Sequence, residues 1–263
     1  RRCVLETGAK ALQREELTTW MVDYLAARAY RPEYHAVLLD ALRRADAVIV
    51  YNEKLQAELD DFHDNVRVVP GGIDPETVPV APPPERRPCD RKIVLMVGRV
   101  DDPAKGLDTL REAGERLAAT RNDFEIWATH FDVTLSNDWF HALGWLEHSE
   151  ALALYPQADI CVVPSLWEEP FGLTAVEAMA AARPVCASRV GGLQSIVRDG
   201  ETGLLFPPGD AATLAECVER LLDDAPRRRS MGGAGRGVVE EEYAWGAIIE
   251  RHYLPLIETK AGS

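Results

Sequence analysis

Residues 159–180 limit the choice of fold more tightly than any other stretch of this sequence. The apolar, β-branched run 159–164 predicts a buried strand. A helix follows, and we expect Pro170 in its first turn. Glu169 lies in the loop before that helix, and Glu177 lies about two turns inside it. Because a helix start attracts anions, two carboxylates beside it suit a ligand with phosphate and hydroxyl groups, such as a nucleotide sugar.

The loop at Phe171 and Gly172 is expected to allow close contact between this ligand and the backbone amides at the helix start, including the amide of Leu173. The alternative is an ordinary strand-loop-helix unit whose two glutamates are solvated.

Strand-like and helix-like segments alternate from residue 91 onwards, which predicts a parallel sheet with helices on both faces. The predicted strands cover residues 93–97, 124–129, 140–143, 160–163, 185–187 and 204–206. The predicted helices cover residues 107–119, 149–155, 173–182, 193–198, 211–223, 226–241 and 245–258. We therefore predict an α/β fold with a Rossmann-like sheet and a ligand at the carboxyl ends of its strands.

The N-terminal part is shorter than an ordinary domain. It has helical patterns at 9–30, 33–44 and 53–60 and extended runs at 46–51 and 66–70. We divide the chain into a partial N-terminal α/β segment (1–75), a stiff proline-rich linker (76–90), a Rossmann-like domain (91–242) and a C-terminal helix and tail (243–263). An ordinary domain has ~100–150 residues, so a missing N-terminal domain or another chain is expected to complete the fold.

Two cations follow the first predicted strand of the sheet. Arg99 comes directly after Gly98 at the strand end, and Lys105 immediately precedes the next helix. Both cations and the amides of that helix can converge on one anion. They could neutralise a departing nucleoside diphosphate, so we expect neither a metal nor another cofactor. The alternative is a surface loop with two solvated cations.

Glycines follow two further strands. Gly191 and Gly192 come after the strand at 185–187, and paired glycines allow a positive φ and close approach to a ligand, although a tight turn is the alternative. Gly144 follows the strand at 140–143 and opens a short run with Trp145 and Leu146.

Four segments, in this order, resemble the retaining glycosyltransferases of family 4, the group-1 transferases with the GT-B fold. They are the strand and hinge at 46–74, the Gly-Arg and Lys-Gly pairs at 98–106, the E-x-F-G-x-x-x-x-E pattern at 169–177 and the glycine-rich run at 184–205. Three departures are Tyr51-Asn52 and Gly71 in the first segment and Ser195 where the family usually has Glu. In addition, the run from His130 to Asp132 replaces the common G-x-G-P element, so base recognition there stays open.

The resemblance implies retaining transfer of a sugar from a nucleotide diphosphate sugar to an unknown acceptor. It implies that Arg99 and Lys105 bind the diphosphate, that Glu169 holds the hydroxyls of the sugar and that Glu177 holds those of the ribose. Backbone groups would complete the donor site, at Gly98, Gly144, Trp145, Leu146, Phe171, Gly172, Leu173, Gly191 and Gly192. A UDP-sugar is favoured, and GDP-, ADP- and dTDP-sugars stay open. The resemblance also implies that residues 91–242 are the nucleotide-sugar-binding domain and that the helix within 243–263 crosses back to the N-terminal domain.

The charge, the apolar runs and the cysteine content limit the kind of partner and the cellular compartment. The chain has 29 basic and 43 acidic residues and a formal charge of −14, which argues against a nucleic-acid partner. No run approaches the ~18 apolar residues of a transmembrane segment. Five cysteines without a C-x-x-C pair fit a reducing compartment, so we expect a cytoplasmic protein.

Two other functions stay open. One is a non-catalytic nucleotide-sugar-binding domain. The other is a GT-B nucleotide-sugar 2-epimerase, which is disfavoured because that family lacks the E-x-F-G-x-x-x-x-E element. The chain starts with Arg1, and we expect a fragment that binds the donor and transfers sugar poorly by itself. The acceptor and the oligomeric state stay open.

Overall fold

The computed structural model describes residue 37 and residues 40–80 and 91–261. The chain forms two compact units that divide between Pro70 and Gly71. The described part of the first unit has a helical turn at 40–44, then β1 (Val48–Val50), α1 (Glu53–Leu59) and β2 (Val66–Val68). β1 and β2 pair in parallel. The predicted helix at 9–30 lies outside the described residues, and so do residues 81–90 of the predicted linker.

The second unit contains a six-stranded parallel sheet with the strand order β5-β4-β3-β6-β7-β8. Its strands are β3 (Lys92–Met96), β4 (Phe124–Ala128), β5 (Phe140–Ala142), β6 (Ile160–Val163), β7 (Val185–Ser188) and β8 (Gly203–Phe206). Its helices are α2 (Leu107–Ala118), α3 (His148–Leu152), α4 (Leu173–Ala180), α5 (Leu193–Ile196), α6 (Ala211–Asp223), α7 (Ala225–Val238), α8 (Trp245–Ile248) and α9 (Leu254–Ala261). The predicted Rossmann-like α/β fold is confirmed.

The core lies on both faces of this sheet. Along β3, Val94 and Met96 belong to one buried cluster and Ile93 and Leu95 to the other, as the alternation of a strand requires. The first cluster contains the apolar faces of α2 and α6, and the second contains most of α4. A strand buried on both faces must be apolar throughout, which is why β3 from Ile93 onwards and β6 read as continuous apolar runs.

Three predicted helices differ from the observed ones. The helix predicted at 149–155 ends at Leu152 and is followed by a 3₁₀ turn at Tyr155–Gln157, because Pro156 has no amide hydrogen to continue the α-helical hydrogen bonds. The last two predicted helices are interrupted by π-helical turns at Val239–Tyr243 and Ile249–Tyr253. These differences concern the ends and the continuity of helices and leave the topology unchanged.

Residues 71–80 belong to the second unit, whereas the prediction placed residues 71–75 with the N-terminal segment. Ile73 and Val78 are buried in the second cluster. The amide of Ile73 donates to the carbonyl of Tyr243 at 2.9 Å, and the amide of Trp245 donates to the carbonyl of Ile73 at 3.0 Å. This strip therefore continues the packing of the second unit. The crossover of residues 243–263 to the N-terminal domain stays a prediction.

The strand order places a switch point beside β3. The chain runs from β3 outward to β4 and β5, and then returns to β6 on the other side of β3. The loops after β3 and β6 therefore leave in opposite directions and open a crevice at the carboxyl edge, where open α/β sheets bind ligands.

Candidate functional site at the carboxyl edge of the sheet

Lys105 and Glu169 meet across the switch point. Nζ of Lys105 donates to Oε1 of Glu169 at 2.5 Å, and both side chains are largely buried. The hydroxyl of Ser165 donates to the same oxygen at 2.7 Å. Nζ of Lys105 also lies 5.4 Å from the centre of the Trp167 ring. The loops after β3 and β6 thus fix the Glu169 carboxylate between a cation and a hydroxyl.

The turn that contains Lys105 packs tightly against the end of β6. Asp102 caps the 3₁₀ turn Pro103–Lys105 by accepting a backbone amide at 3.0 Å. Gly106 follows with a φ of 79°, and a Cβ at this position would lie 1.9 Å from the carbonyl oxygen of Pro164. Only glycine permits both this φ and this approach.

Arg99 lies at the same edge and is exposed. Within the described residues its guanidinium has no hydrogen-bond or ion-pair partner. The backbone beside it is fixed, since the Thr129 hydroxyl bonds both the amide and the carbonyl of Gly98, at 3.0 and 2.9 Å. Of the two predicted cations, one is therefore paired with a carboxylate and the other is unengaged in the described part of the chain.

Glu177 lies in the second turn of α4 and is buried. The Tyr155 hydroxyl donates to its Oε2 at 2.8 Å, and Nε2 of His148 lies 2.8 Å from its Oε1. Burial, and next the charge of Glu177, raise the pKa of Tyr155 well above its usual value. Tyr155 therefore stays protonated and remains a donor to the carboxylate.

The start of α4 presents free amides to the same edge. The helix begins at Leu173 after Gly172, so Pro170, which we expected in its first turn, lies in the loop. The amides of residues 175 and 176 donate to the Gly172 carbonyl, whereas those of Leu173 and Thr174 have no backbone acceptor in the described part of the chain. Two unpaired amides at a helix start form the expected anion-binding feature.

Gly191 and Gly192 pack against the loop that contains Glu169. The amide of Gly192 donates to the Glu169 carbonyl at 2.7 Å, and the amide of Gly191 donates to the Glu168 carboxylate at 2.9 Å. A Cβ on Gly191 would lie 2.2 Å from the Glu169 carbonyl oxygen, and one on Gly192 would lie 2.4 Å from that of Phe171. The paired glycines thus allow close approach of the chain to itself. Their contact with a ligand stays a prediction.

An exposed aromatic pair marks the outer end of this edge. Phe131 follows β4 and Trp145 follows β5, and their rings stack with centres 5.2 Å apart and planes 6° apart. Their exposed fractions are 60% and 56%. Asp101, from the loop after β3, accepts from the Phe131 amide at 3.1 Å and lies 3.3 Å from Nε2 of His130. The loops after β3 and β4 are therefore joined.

Four residues of this arrangement were missed by the sequence analysis: Phe131, His148, Tyr155 and Ser165. His148 and Tyr155 are 29 and 22 residues from Glu177 in sequence, so no local pattern connects them with it. Their spacing of seven residues, about two helical turns, was the one signal that could have placed them on a common face.

In the part of the chain that the structure describes, no three His, Cys, Asp or Glu side chains are grouped so that they could hold a metal ion. Among the same residues, no helix has the length and apolar content required to cross a membrane.

The family profile described as "Glycosyl transferases group 1" matches residues 91–224, which contain all six strands of the sheet and both glutamates. Among curated proteins, the chain is 31% identical over 205 residues to a phosphatidyl-myo-inositol mannosyltransferase of Mycobacterium leprae (strain TN). That match covers 74% of this chain and 54% of the relative. The chain thus spans about half the length of the curated relatives it matches.

Solved structures have the same fold. Sucrose-phosphate synthase (tll1590) from Thermosynechococcus elongatus matches with a TM-score of 0.73 and 32% identity, over 89% of this chain and 64% of that one. Anabaena Alr3699/HepE in complex with UDP and glucose matches with a TM-score of 0.70 and 21% identity, over 85% and 66%. The second likeness concerns the fold alone. Together with the matching profile, the sheet and its edge lead to one assignment: this chain belongs to the group 1 family of glycosyl transferases.

Proposed function

We propose that this chain is the donor-binding part of a retaining glycosyltransferase, which transfers a sugar from a nucleotide diphosphate sugar to an acceptor. The observation that carries the proposal is the Lys105–Glu169 pair at the switch point, beside the unengaged Arg99. A cation and a carboxylate held side by side suit a donor that presents a diphosphate next to a sugar ring. The family assignment supports this choice.

Arg99 and Lys105 neutralise the leaving diphosphate. An ammonium has three N–H donors, and in the described residues the Lys105 ammonium donates to one carboxylate. Its other donors remain for phosphate oxygens. The amides of Leu173 and Thr174 add two more donors at the start of α4. This set of fixed donors supplies the electrostatic stabilisation that a metal ion supplies in other transferases.

The two glutamates have different partners in the donor. Glu169 holds hydroxyls of the transferred sugar, because Lys105 places it beside the diphosphate. Glu177 holds the ribose hydroxyls from its buried position in α4. The run Gly144-Trp145-Leu146 contacts the base, and the stacked Phe131 and Trp145 rings lie at that end of the edge.

Reaction with retention requires the acceptor to attack the sugar on the face from which the diphosphate leaves. The acceptor therefore comes from the side that faces this edge, and a complete acceptor domain is needed to position it. UDP is the favoured nucleotide, which the UDP named in the HepE structure supports. The buried thiols of Cys161, Cys186 and Cys217 are free, which fits the reducing cytoplasm that we propose as its location.

Calorimetric titration with UDP, with and without EDTA, tests the proposal. Binding should be the same in both, because the counter-charge comes from the protein. Loss of binding on chelation would refute the metal-free arrangement. A parallel panel of GDP, ADP and dTDP identifies the base.

Alanine variants distinguish the proposed roles of the Glu169 and Glu177 carboxylates. Glu177→Ala should weaken UDP binding about ten- to hundredfold, because a charged acceptor of hydrogen bonds is lost. Glu169→Ala should leave UDP binding nearly intact and lower turnover ~10²-fold in a chain with a complete acceptor domain. Glu216→Ala, on the exposed face of α6, is the matched control. Equal losses of UDP affinity in the first two variants would contradict the divided roles.

A further inference from the structure

Both oxygens of the Glu177 carboxylate have a protein partner, but on opposite sides. The Tyr155 hydroxyl bonds Oε2 from within the core, where Tyr155 is 2% exposed. Nε2 of His148 bonds Oε1, and the His148 side chain is 71% exposed. A ligand that reaches Glu177 from the open side therefore meets the imidazole of His148.

The bond to Glu177 determines which nitrogen of His148 carries the proton. An ionised carboxylate only accepts hydrogen bonds, so Nε2 must be the donor, and in the neutral ring Nδ1 is then an acceptor. The carboxylate has about four acceptor positions, and Tyr155 and His148 fill two of them. The two that remain can accept from the two hydroxyls of a ribose without displacing either partner.

The backbone at His148 is held in place without this bond. Glu147 and Glu150 form a capping box at the start of α3, with the Glu147 amide donating to the Glu150 carboxylate at 2.9 Å. The other end of this segment is fixed by the buried Ala151 and Tyr155. The helix therefore does not need the His148–Glu177 contact, and the contact acts on the carboxylate instead.

We propose that His148 is a positioning residue for the nucleotide, which holds Oε1 of Glu177 so that the two free acceptor positions of the carboxylate face the ribose. The inference rests on the proposed function, in which Glu177 binds the ribose. With Tyr155 alone, the carboxylate could rotate about its terminal torsion, since such torsions are broad. With His148 as well, both oxygens are fixed.

The test compares UDP with 2′,3′-dideoxy-UDP by calorimetry for the wild-type chain and for His148→Ala, His148→Gln and Ser149→Ala. Wild type should prefer UDP, and His148→Ala should weaken UDP binding about three- to tenfold, the effect of one hydrogen bond. Binding of the dideoxy nucleotide should stay within about twofold, because it offers no hydroxyl to the carboxylate. His148→Gln keeps an N–H donor and should restore most of the preference. Ser149→Ala, at the exposed neighbour in α3, should match wild type.

Other outcomes overturn the inference in distinguishable ways. Equal losses for both nucleotides in His148→Ala would mean that His148 only supports the fold. Tighter UDP binding in that variant would mean that His148 competes with the ribose. A wild-type preference for UDP that His148→Ala leaves unchanged would refute the positioning role alone. Failure of wild type to bind UDP at all would refute the proposed function with UDP as the donor nucleotide, and this inference with it.

Discussion

Replacing Gly106 by alanine should destabilise the protein more than either of two matched glycine replacements. Gly106 has a φ of 79°, and a Cβ would lie 1.9 Å from the carbonyl oxygen of Pro164, whereas ordinary contact begins at 3.4 Å. Gly200 has a similar φ of 82° with open space around its Cβ position. Gly233 is exposed in α7, also with open space. The three positions separate the effect of backbone conformation from that of steric overlap.

The three replacements should change the free energy of unfolding by different amounts, and one of them should increase it. Gly233→Ala should stabilise by about 0.5–1 kcal/mol, because alanine is the better residue within a helix. Gly200→Ala should cost about 1 kcal/mol for the left-handed conformation. Gly106→Ala carries that cost and must also move Pro164 or the Lys105 turn by over an ångström, which adds about 1–3 kcal/mol. Its total is therefore about 2–4 kcal/mol.

Urea unfolding followed by tryptophan fluorescence measures the three values. UDP titration of the folded Gly106→Ala variant adds a second reading, because displacement of the turn moves Lys105 away from Glu169 and should weaken binding. Gly200→Ala should bind UDP like wild type. Equal destabilisation by Gly106→Ala and Gly200→Ala would show that the contact with Pro164 is not tight and would refute the reasoning.

Two further predictions concern single side chains. Tyr155→Phe should destabilise the protein by about 1.5–3 kcal/mol, because the buried Glu177 carboxylate loses a donor; urea unfolding should show no such loss for Tyr253→Phe, whose hydroxyl has no partner within the described residues. Hydrogen bonds from Arg121, and then from Lys92, lower the pKa of Asp123 below its ordinary value. The stabilisation from Asp123 should therefore be complete above that ordinary value and fade as the pH falls below it. Asp123→Asn should be less stable than wild type at pH 7, with the difference shrinking in acid; a difference independent of pH would contradict this.

The strands and their order along the chain could be predicted because each element carries a local pattern. The run at 159–164 reads as a buried strand, and it is β6, with both faces covered. The pairing of Lys105 with Glu169 could not be predicted from the sequence, because 64 residues separate them and only the strand order brings the loops after β3 and β6 together. The same holds for Gly192, whose close approach is to the Phe171 carbonyl. The spacing in the sequence identified these residues as candidate site residues, whereas their contacts depend on the strand order of the sheet.

The charges of the site explain why the two glutamates should behave differently. Arg99 and Lys105 carry two positive formal charges and Glu169 and Glu177 carry two negative ones, so the four side chains sum to no net charge before a ligand binds. In the proposed function a nucleoside diphosphate adds negative charge, and we expect the Leu173 and Thr174 amides to share its stabilisation with the cations. Removing Glu169 releases Lys105 from its carboxylate, so the ammonium becomes fully available to the phosphates. In the proposed function that gain should offset other losses in the affinity for free UDP, while the transferred sugar should lose an acceptor of hydrogen bonds. The two partners of Glu177 are a tyrosine and a histidine, so its removal frees no Lys or Arg side chain. If Glu177 binds the ribose as proposed, its removal should therefore weaken nucleotide binding with nothing to offset the loss.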